Sequence, residues 1–342
     1  MRRRTIAALL VGWAGLGATA RAATLVVLNK SEATASLIDL ESGRVAATVP
    51  TGQAPHEVAV SPDGRLALAT NYGTREAPGS TLTLIDVPDA KVVRTIDLGF
   101  HKRPHGVRWL DDRKALVTAE ASKALLVVDT EEAKVLQAIP TTQETSHMVA
   151  ISGGRAFVAN IGSGTVTAID LEAGKATRQI TTGRGAEGID VTPDGKQVWV
   201  TNREADTVSV IDASSLAVRA SLPSPSFPIR AKVTPDGKYV LVSNAKSGDV
   251  AVFAVADRKE VRRIALKVPM RKTEGRLMPF GDSSVPIGIV VEPGGARAYV
   301  AHANADEISI VDLAKWEVTG SLRAGQEPDG MALSPRSVAP AR

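Results

Sequence analysis

Residues 183–212 read GRGAEGIDVTPDGKQVWVTNREADTVSVID, and this stretch carries the plan of the whole chain. A glycine-rich turn leads into the apolar strand 188–192. A Thr-Pro-Asp-Gly turn reverses the chain into the strand 198–202, and a loop leads on to 207–212. Proline presets φ at such a turn, and Asp-Gly tolerates the left-handed backbone that closes it. The same order recurs seven times, each time opening at an anchor residue just ahead of an apolar strand. The anchors are His56, His105, His147, Glu187, Ile229, Ile287 and Asp329, spaced 49, 42, 40, 42, 58 and 42 residues apart. Periods of about 40 to 50 residues belong to stacked modules that bury a core only together.

Working outward from that stretch, the hairpin turn returns as Ser61-Pro62-Asp63-Gly64, Thr234-Pro235-Asp236-Gly237 and Glu292-Pro293-Gly294-Gly295. The second unit has Leu110-Asp111-Asp112-Arg113 there, and the third a shorter Ser152-Gly153-Gly154. The strand after the turn ends in a polar column: Asn71, Glu120, Asn160, Asn202, Asn244 and His302. A third strand ends in Asp86, Asp129, Asp170, Asp212 and Asp312, with Ala254 as the exception, and a fourth follows. Four short antiparallel strands per unit describe one propeller blade. Residues 24–29, 35–39 and 44–49 supply only strands two to four of a unit, and 329–333 supply the missing first strand. The expected fold is therefore all-β: a seven-bladed β-propeller of four-stranded antiparallel blades, its ring closed by the C-terminal strand joining the N-terminal blade.

Residues 1–22 stand apart from the repeat. Arg2, Arg3 and Arg4 precede an apolar, glycine-broken run that ends in Ala20-Arg21-Ala22, the pattern of a secretory signal peptide. The expectation is a leader over 1–22 and a single domain over 23–342, working in the periplasm as a monomer with no membrane span after cleavage. Arg3-Arg4-Thr5-Ile6 is only a partial twin-arginine pattern. The chain holds 41 Lys+Arg against 37 Asp+Glu, and the leader's four arginines (Arg2, Arg3, Arg4 and Arg21) account for the whole excess. A balanced mature chain lacks the broad basic field of non-specific nucleic-acid binders. There are no cysteines, which excludes disulfides, a lipoprotein anchor, covalent c-type haem and thiolate metal sites.

Strand order places the anchor and Asn columns on one face of the ring, around the channel, and the Pro-Asp-Gly turns on the other. The departures from the basic period (71–80, 99–103 and 267–285) all fall on the anchor face, where insertions in repeat folds mark the binding side. All five histidines map there too: His56, His105 and His147 as anchors, His302 in the Asn column, and His101 in a connecting loop. The expected ligand face comprises His56, Glu57, Asn71, His105, Glu120 and His147, continued by Asn160, Glu187, Asn202, Arg230, His302 and Asp329. Imidazole with carboxylate suits zinc, copper, nickel or iron, so His56, His105, His147 and Glu187 are the candidate ligands of a transition metal.

Two other signals point elsewhere. Arg258, Lys259, Arg262, Arg263, Lys267, Arg271, Lys272 and Arg276 crowd a fourth strand and the loop after it. Charges on an outer edge block strand pairing, and few aromatics interleave, so edge protection is favoured over nucleic-acid binding. Gly183-Arg184-Gly185-Ala186-Glu187-Gly188 matches GxGxxG but joins two strands, whereas a dinucleotide site needs a strand-to-helix junction.

Val198-Trp199-Val200-Thr201-Asn202 and Ala156-Phe157-Val158-Ala159-Asn160, with the repeated Pro-Asp-Gly and Ile-Asp elements, resemble the YVTN family of seven-bladed propellers, the YncE-like proteins. The resemblance implies an extracytoplasmic binding or scaffolding protein. Quinoprotein-associated propellers of alcohol catabolism are similar, and the family also includes a nucleic-acid-binding member. The leading expectation is a non-enzymatic propeller that binds a partner protein or small ligand at the anchor face. The alternative is a metal-assisted hydrolase or lyase of the propeller-lactonase kind, with His56, His105, His147 or His302 as base and Glu187 or Glu120 as acid or metal ligand.

Overall fold

The computed structural model describes residues 23–271 and 280–339. The expected leader over 1–22 and the middle of the 267–285 insertion, including Lys272 and Arg276, lie outside the described residues. Seven four-stranded sheets form the ring. In six of them the strands follow in chain order; in the seventh, Pro328–Ser334 pairs antiparallel with Thr24–Asn29. We number that shared blade first, and the blades over 55–97, 104–140, 146–181, 186–223, 228–265 and 286–323 second to seventh. Almost no helix is present, and among the described residues none is long and apolar enough to cross a membrane.

Period-two alternation builds the cores between blades. In the strand Gln197–Asn202, Val198 and Val200 pack with Phe157 and Val166 of the fourth blade. Trp199, on the opposite face and fully buried, packs with Val240 and Phe253 of the sixth. Each second strand thus serves two cores at once. Six of the seven outer strands bury a single residue, such as Ile96 or Ile139, and Val218–Pro223 of the fifth blade buries none. In the outer strand Lys259–Ala265, Arg263 pairs with Glu260 at 2.7 Å and Asp249 at 2.9 Å, consistent with a charged, protected edge.

One irregularity recurs in every blade. Each innermost strand carries one extra residue just inside its mouth end, as where Pro55 pairs with Asn71 but Val58 pairs with Ala69. The same bulge appears in the other six blades. A bulge bends its strand and re-aims the side chain there. In four blades the residue on the second strand facing it uses a hydroxyl to reach the next blade: Thr70 Oγ1 donates to the His105 carbonyl at 2.9 Å, Ser243 Oγ to that of Ile287 at 2.8 Å and Thr201 Oγ1 to that of Ile229 at 3.4 Å. Thr118 Oγ1 does the same to the His147 carbonyl at 2.5 Å. Glycine beside the anchor admits this approach. A Cβ on Gly188 would stand 2.6 Å from the Ile229 carbonyl oxygen, and one on Gly330 would stand 2.3 Å from that of His56.

The Asn column is a clamp within the blade. Asn202 Nδ2 donates to Thr207 Oγ1 at 3.0 Å and Ser209 Oγ at 2.9 Å, while Asn71 and Asn160 make the equivalent pairs with Thr81 and Thr83, and with Thr165 and Thr167. His302 fills the same role, bonded through Nδ1 to Ser284 Oγ and through Nε2 to Ser309 Oγ, both at 2.8 Å.

Two outcomes follow from these contacts. Gly188→Ala forces a methyl against the neighbouring backbone and is expected to lower stability by about 1–3 kcal/mol in urea denaturation; an unchanged midpoint would refute the close-approach role. Burial pushes the His302 imidazole from its usual 6.5 down to about 3. Between those values the unfolded chain binds a proton that the folded one does not, so stability present above pH 6.5 is lost as pH falls toward 3. Relative to wild type, His302→Asn should therefore gain about 2 kcal/mol between pH 7 and pH 5 in paired denaturation curves.

Candidate functional site

The bulges of the second, third and fourth blades set three imidazoles side by side at the channel mouth. The His56 and His105 rings lie 5.0 Å apart at 70°, and those of His105 and His147 lie 3.6 Å apart at 33°. Tyr72, at the end of the strand Leu66–Gly73, stacks on His56 at 4.4 Å and meets His105 edge-on at 5.6 Å. The Arg103 guanidinium sits 4.9 Å over the Tyr72 ring.

Glu120 ties these groups together. The sequence aligns it with the Asn column, but the register gives that place to Ala119, which pairs with Pro104 and Ala124 as Asn202 pairs with Ala186 and Thr207. Glu120 lies one residue past the strand Lys114–Ala119, as Arg203 follows Asn202. It turns to the mouth instead. Tyr72 Oη donates to Glu120 Oε2 at 2.6 Å, and His147 Nδ1 lies 2.5 Å from Glu120 Oε1. On the other side of His147, Nε2 stands 3.4 Å from Glu187 Oε1, too poorly aligned for a hydrogen bond. Glu187 is held by Arg203 at 2.8 Å and Arg230 at 3.1 Å.

Arg230 closes the channel. Its column is glycine in four blades (Gly106, Gly188, Gly288 and Gly330), and only a long side chain can cross from there. From the sixth blade its guanidinium reaches Glu57 of the second at 2.5 Å, Glu187 of the fifth at 3.1 Å and Asp329 of the first at 3.8 Å. All four side chains are buried. Removing one partner from such a network leaves an uncompensated buried charge, which is strongly destabilising. Beyond this seal, toward the Pro-Asp-Gly face, lies a cavity of ≈ 310 Å³ lined by Arg108, Met148, Lys232, Ile289 and Leu333. The opposite half of the mouth is apolar: Ile229 and Ile287 pack with Val285, and the Phe227 and Phe280 rings lie 4.8 Å apart.

Charge states divide sharply across this small region. Burial, reinforced by Lys30 near His56 and by His147 near His105, holds both imidazoles well below the usual histidine value. Burial also opposes charge on His147, but Glu120 and Glu187 outweigh it and raise its affinity for a proton. Burial works against ionising Glu187, yet His147, Arg203 and Arg230 bring it down to about 2. Asp329 rises to about 6 through burial and the Glu57 charge, against the pull of Lys30 and Arg230. Burial and Glu120 push the Tyr72 phenol up to about 12. The arrangement can present neutral imidazole donors beside an acceptor-rich carboxylate pair.

Of the residues named from sequence, His56, His105, His147, Glu120 and Glu187 meet at the mouth, with Glu57, Arg230 and Asp329 forming the floor beneath. Asn71, Asn160, Asn202 and His302 stand outside this cluster, their side chains engaged within their own blades. His101 is buried under the exposed Phe100, with ring centroids 4.1 Å apart. Sequence reasoning missed Tyr72, Arg103 and Arg203. The lengthened loop that begins at Asn71 was the one signal for Tyr72.

Comparison with solved structures places this architecture among known propellers. A functionally unknown protein from Desulfotomaculum acetoxidans matches with a TM-score of 0.74 at 15% identity, over 93% of this chain and 99% of that one. Hydrazine synthase from Kuenenia stuttgartiensis matches with a TM-score of 0.67 at 20% identity, over 88% of this chain and 92% of that one. Dihydro-heme d1 dehydrogenase NirN, in complex with DHE, matches with a TM-score of 0.62 at 18% identity, over 91% and 75%. These likenesses are of fold. No curated protein matches the chain. The YNCE-like beta-propeller family model matches residues 10–115 and 116–271, most of the sequence, and with the seven-bladed ring it establishes that the chain belongs to the YNCE-like β-propeller family.

Proposed function

We propose that this propeller is a periplasmic binding protein that takes a small ligand, or a projecting segment of a partner protein, in the cup at its anchor face. The observation that carries this reading is the Arg230 seal. It turns the channel into a closed-bottomed cup whose walls differ: imidazole and carboxylate from the second to fifth blades, apolar and aromatic groups from the sixth and seventh. Pockets that fix a ligand's orientation combine apolar walls with a few convergent polar groups. The polar groups stand on strands of a rigid ring, so they are set in place before a ligand arrives. Family resemblance supports a role beside a quinoprotein dehydrogenase as one such partnership.

A second reading, metal-assisted hydrolysis or lyase chemistry, is favoured by one observation: His105, Glu120 and His147 bring donor atoms within 4.8 Å of one another. A panel of lactones and esters assayed with and without chelator separates the two, since turnover abolished by chelation belongs to an enzyme and inactivity throughout to a binder.

The binding reading is tested by capture from periplasmic extract. His56→Ala combined with Phe227→Ala removes one group from each wall while leaving the Arg230 network whole. We expect this variant, and one lacking residues 267–285, to lose at least ten-fold of the captured partner or ligand. Full retention by both variants would refute binding at this face.

A further inference from the structure

Asn71, Asn160, Asn202 and His302 spend their side chains on their own blades, whereas Glu120, one residue past the end of its strand, does not. Its two carboxylate oxygens are divided. Oε2 accepts the Tyr72 hydroxyl, and Oε1 faces His147 Nδ1. His105 Nδ1 is fully enclosed and has no hydrogen-bond partner among the described residues, although its side chain is only 3% exposed. A buried polar atom left without a partner is costly, so a protein that retains one has a use for it.

We propose that His105, Glu120 and His147 bind a divalent transition ion of the zinc type, with a fourth position open toward the cup. The three donor groups are buried and converge, and their chemistry (two nitrogens and one oxygen, no sulfur) suits zinc and its neighbours in the first transition row. Zinc bonds of about 2.0–2.2 Å in a tetrahedral site set donors about 3.4 Å apart, so the His147–Glu120 pair at 2.5 Å must open and donors up to 4.8 Å apart must close, each by about an ångström. Three protein ligands with one position free is the arrangement of zinc sites that bind an exogenous group.

The surroundings already have the form that metal ligands require. A coordinating histidine turns its other ring nitrogen to a carboxylate, and a coordinating carboxylate has its remaining oxygen hydrogen-bonded. Glu187 stands at His147 Nε2, fixed from behind by Arg203 and Arg230, and Tyr72 holds Glu120 Oε2. Glu187 therefore orients a ligand and is not one itself. His56 is likewise committed elsewhere, with Nδ1 2.8 Å from the Ala54 carbonyl oxygen and its ring stacked on Tyr72. Both had been candidate ligands on sequence grounds; the geometry exchanges them for Glu120.

This inference deepens the binding reading by naming what the polar wall offers a ligand, and its test stands separately. Full-length mature protein, stripped with chelator and dialysed, is titrated with Zn²⁺ by calorimetry and with Co²⁺ by visible absorption. We expect one ion per chain and the intense bands of four-coordinate cobalt. Glu120→Gln, close to isosteric and checked for folding by circular dichroism, should weaken binding at least 100-fold, and His105→Ala likewise. Glu187→Gln should weaken it about 10- to 100-fold. His302→Asn should leave it unchanged. Absence of stoichiometric binding by folded protein, or equal affinity in Glu120→Gln, overturns the site. Partner capture that survives such a result leaves the cup reading intact. Metal binding with capture indifferent to the cup variants has the opposite meaning.

Discussion

The hydroxyl that four of the seven blades extend to the anchor carbonyl of the next is the contact on which the site depends. Thr70, Thr118, Thr201 and Ser243 spend it this way; Gly106 and Gly188 keep the gap open at two of these seams, and Gly288 and Gly330 do so at two seams without the hydroxyl. The backbone at His105, His147, Ile229 and Ile287 is consequently fixed by two blades, its own through the bulge and the preceding one through the hydroxyl. An anchor side chain so held has little freedom in where it points. The His105 and His147 imidazoles face one another over backbone held this way, and His56 joins them through the bulge of its own strand.

Arg230 shows how the same geometry accommodates charge. A buried guanidinium costs several kcal/mol unless it is paired and hydrogen-bonded on every side. Glu57 and Glu187 meet it closely and Asp329 stands at 3.8 Å, each from a different blade. The cost of burying these groups is offset only when the ring is complete, so the network favours one register of the blades over any other. Glu187 then carries its charge toward His147, which links the floor of the cup to its wall.

Much of the fold was legible in the sequence. The spacing of Pro-Asp-Gly turns and anchors gave the blade count, and the incomplete N-terminal unit gave the closure, because period-two alternation and turn chemistry are local properties. The site was legible in part. His56, His105, His147, Glu120 and Glu187 could be placed on one face by topology, yet the Asn column was credited with the same face. The sign that it belongs to the scaffold lies at positions five and seven residues on, Thr165 and Thr167 after Asn160 and Thr207 and Ser209 after Asn202; in the third blade a hairpin turn one residue shorter moves Ala119 into the column and leaves Glu120 past the strand end. Hydroxyls at those positions absorb an amide, whereas a carboxylate past the strand end is left to look elsewhere. The bulge, and hence the separation of cup wall from cup floor, left no mark in composition or period. It depends on how neighbouring blades meet.

The sheet shared by Thr24–Asn29 and Pro328–Ser334 has a bearing on how the molecule comes apart. An open stack of repeats can fray from either extremity, losing one module at a time. Here both extremities are stitched into the same module, so the earliest loss requires two distant segments to let go together. Disassembly should consequently begin at an internal seam or engage the whole circle, and the ends, ordinarily the softest parts of a polypeptide, become a clasp.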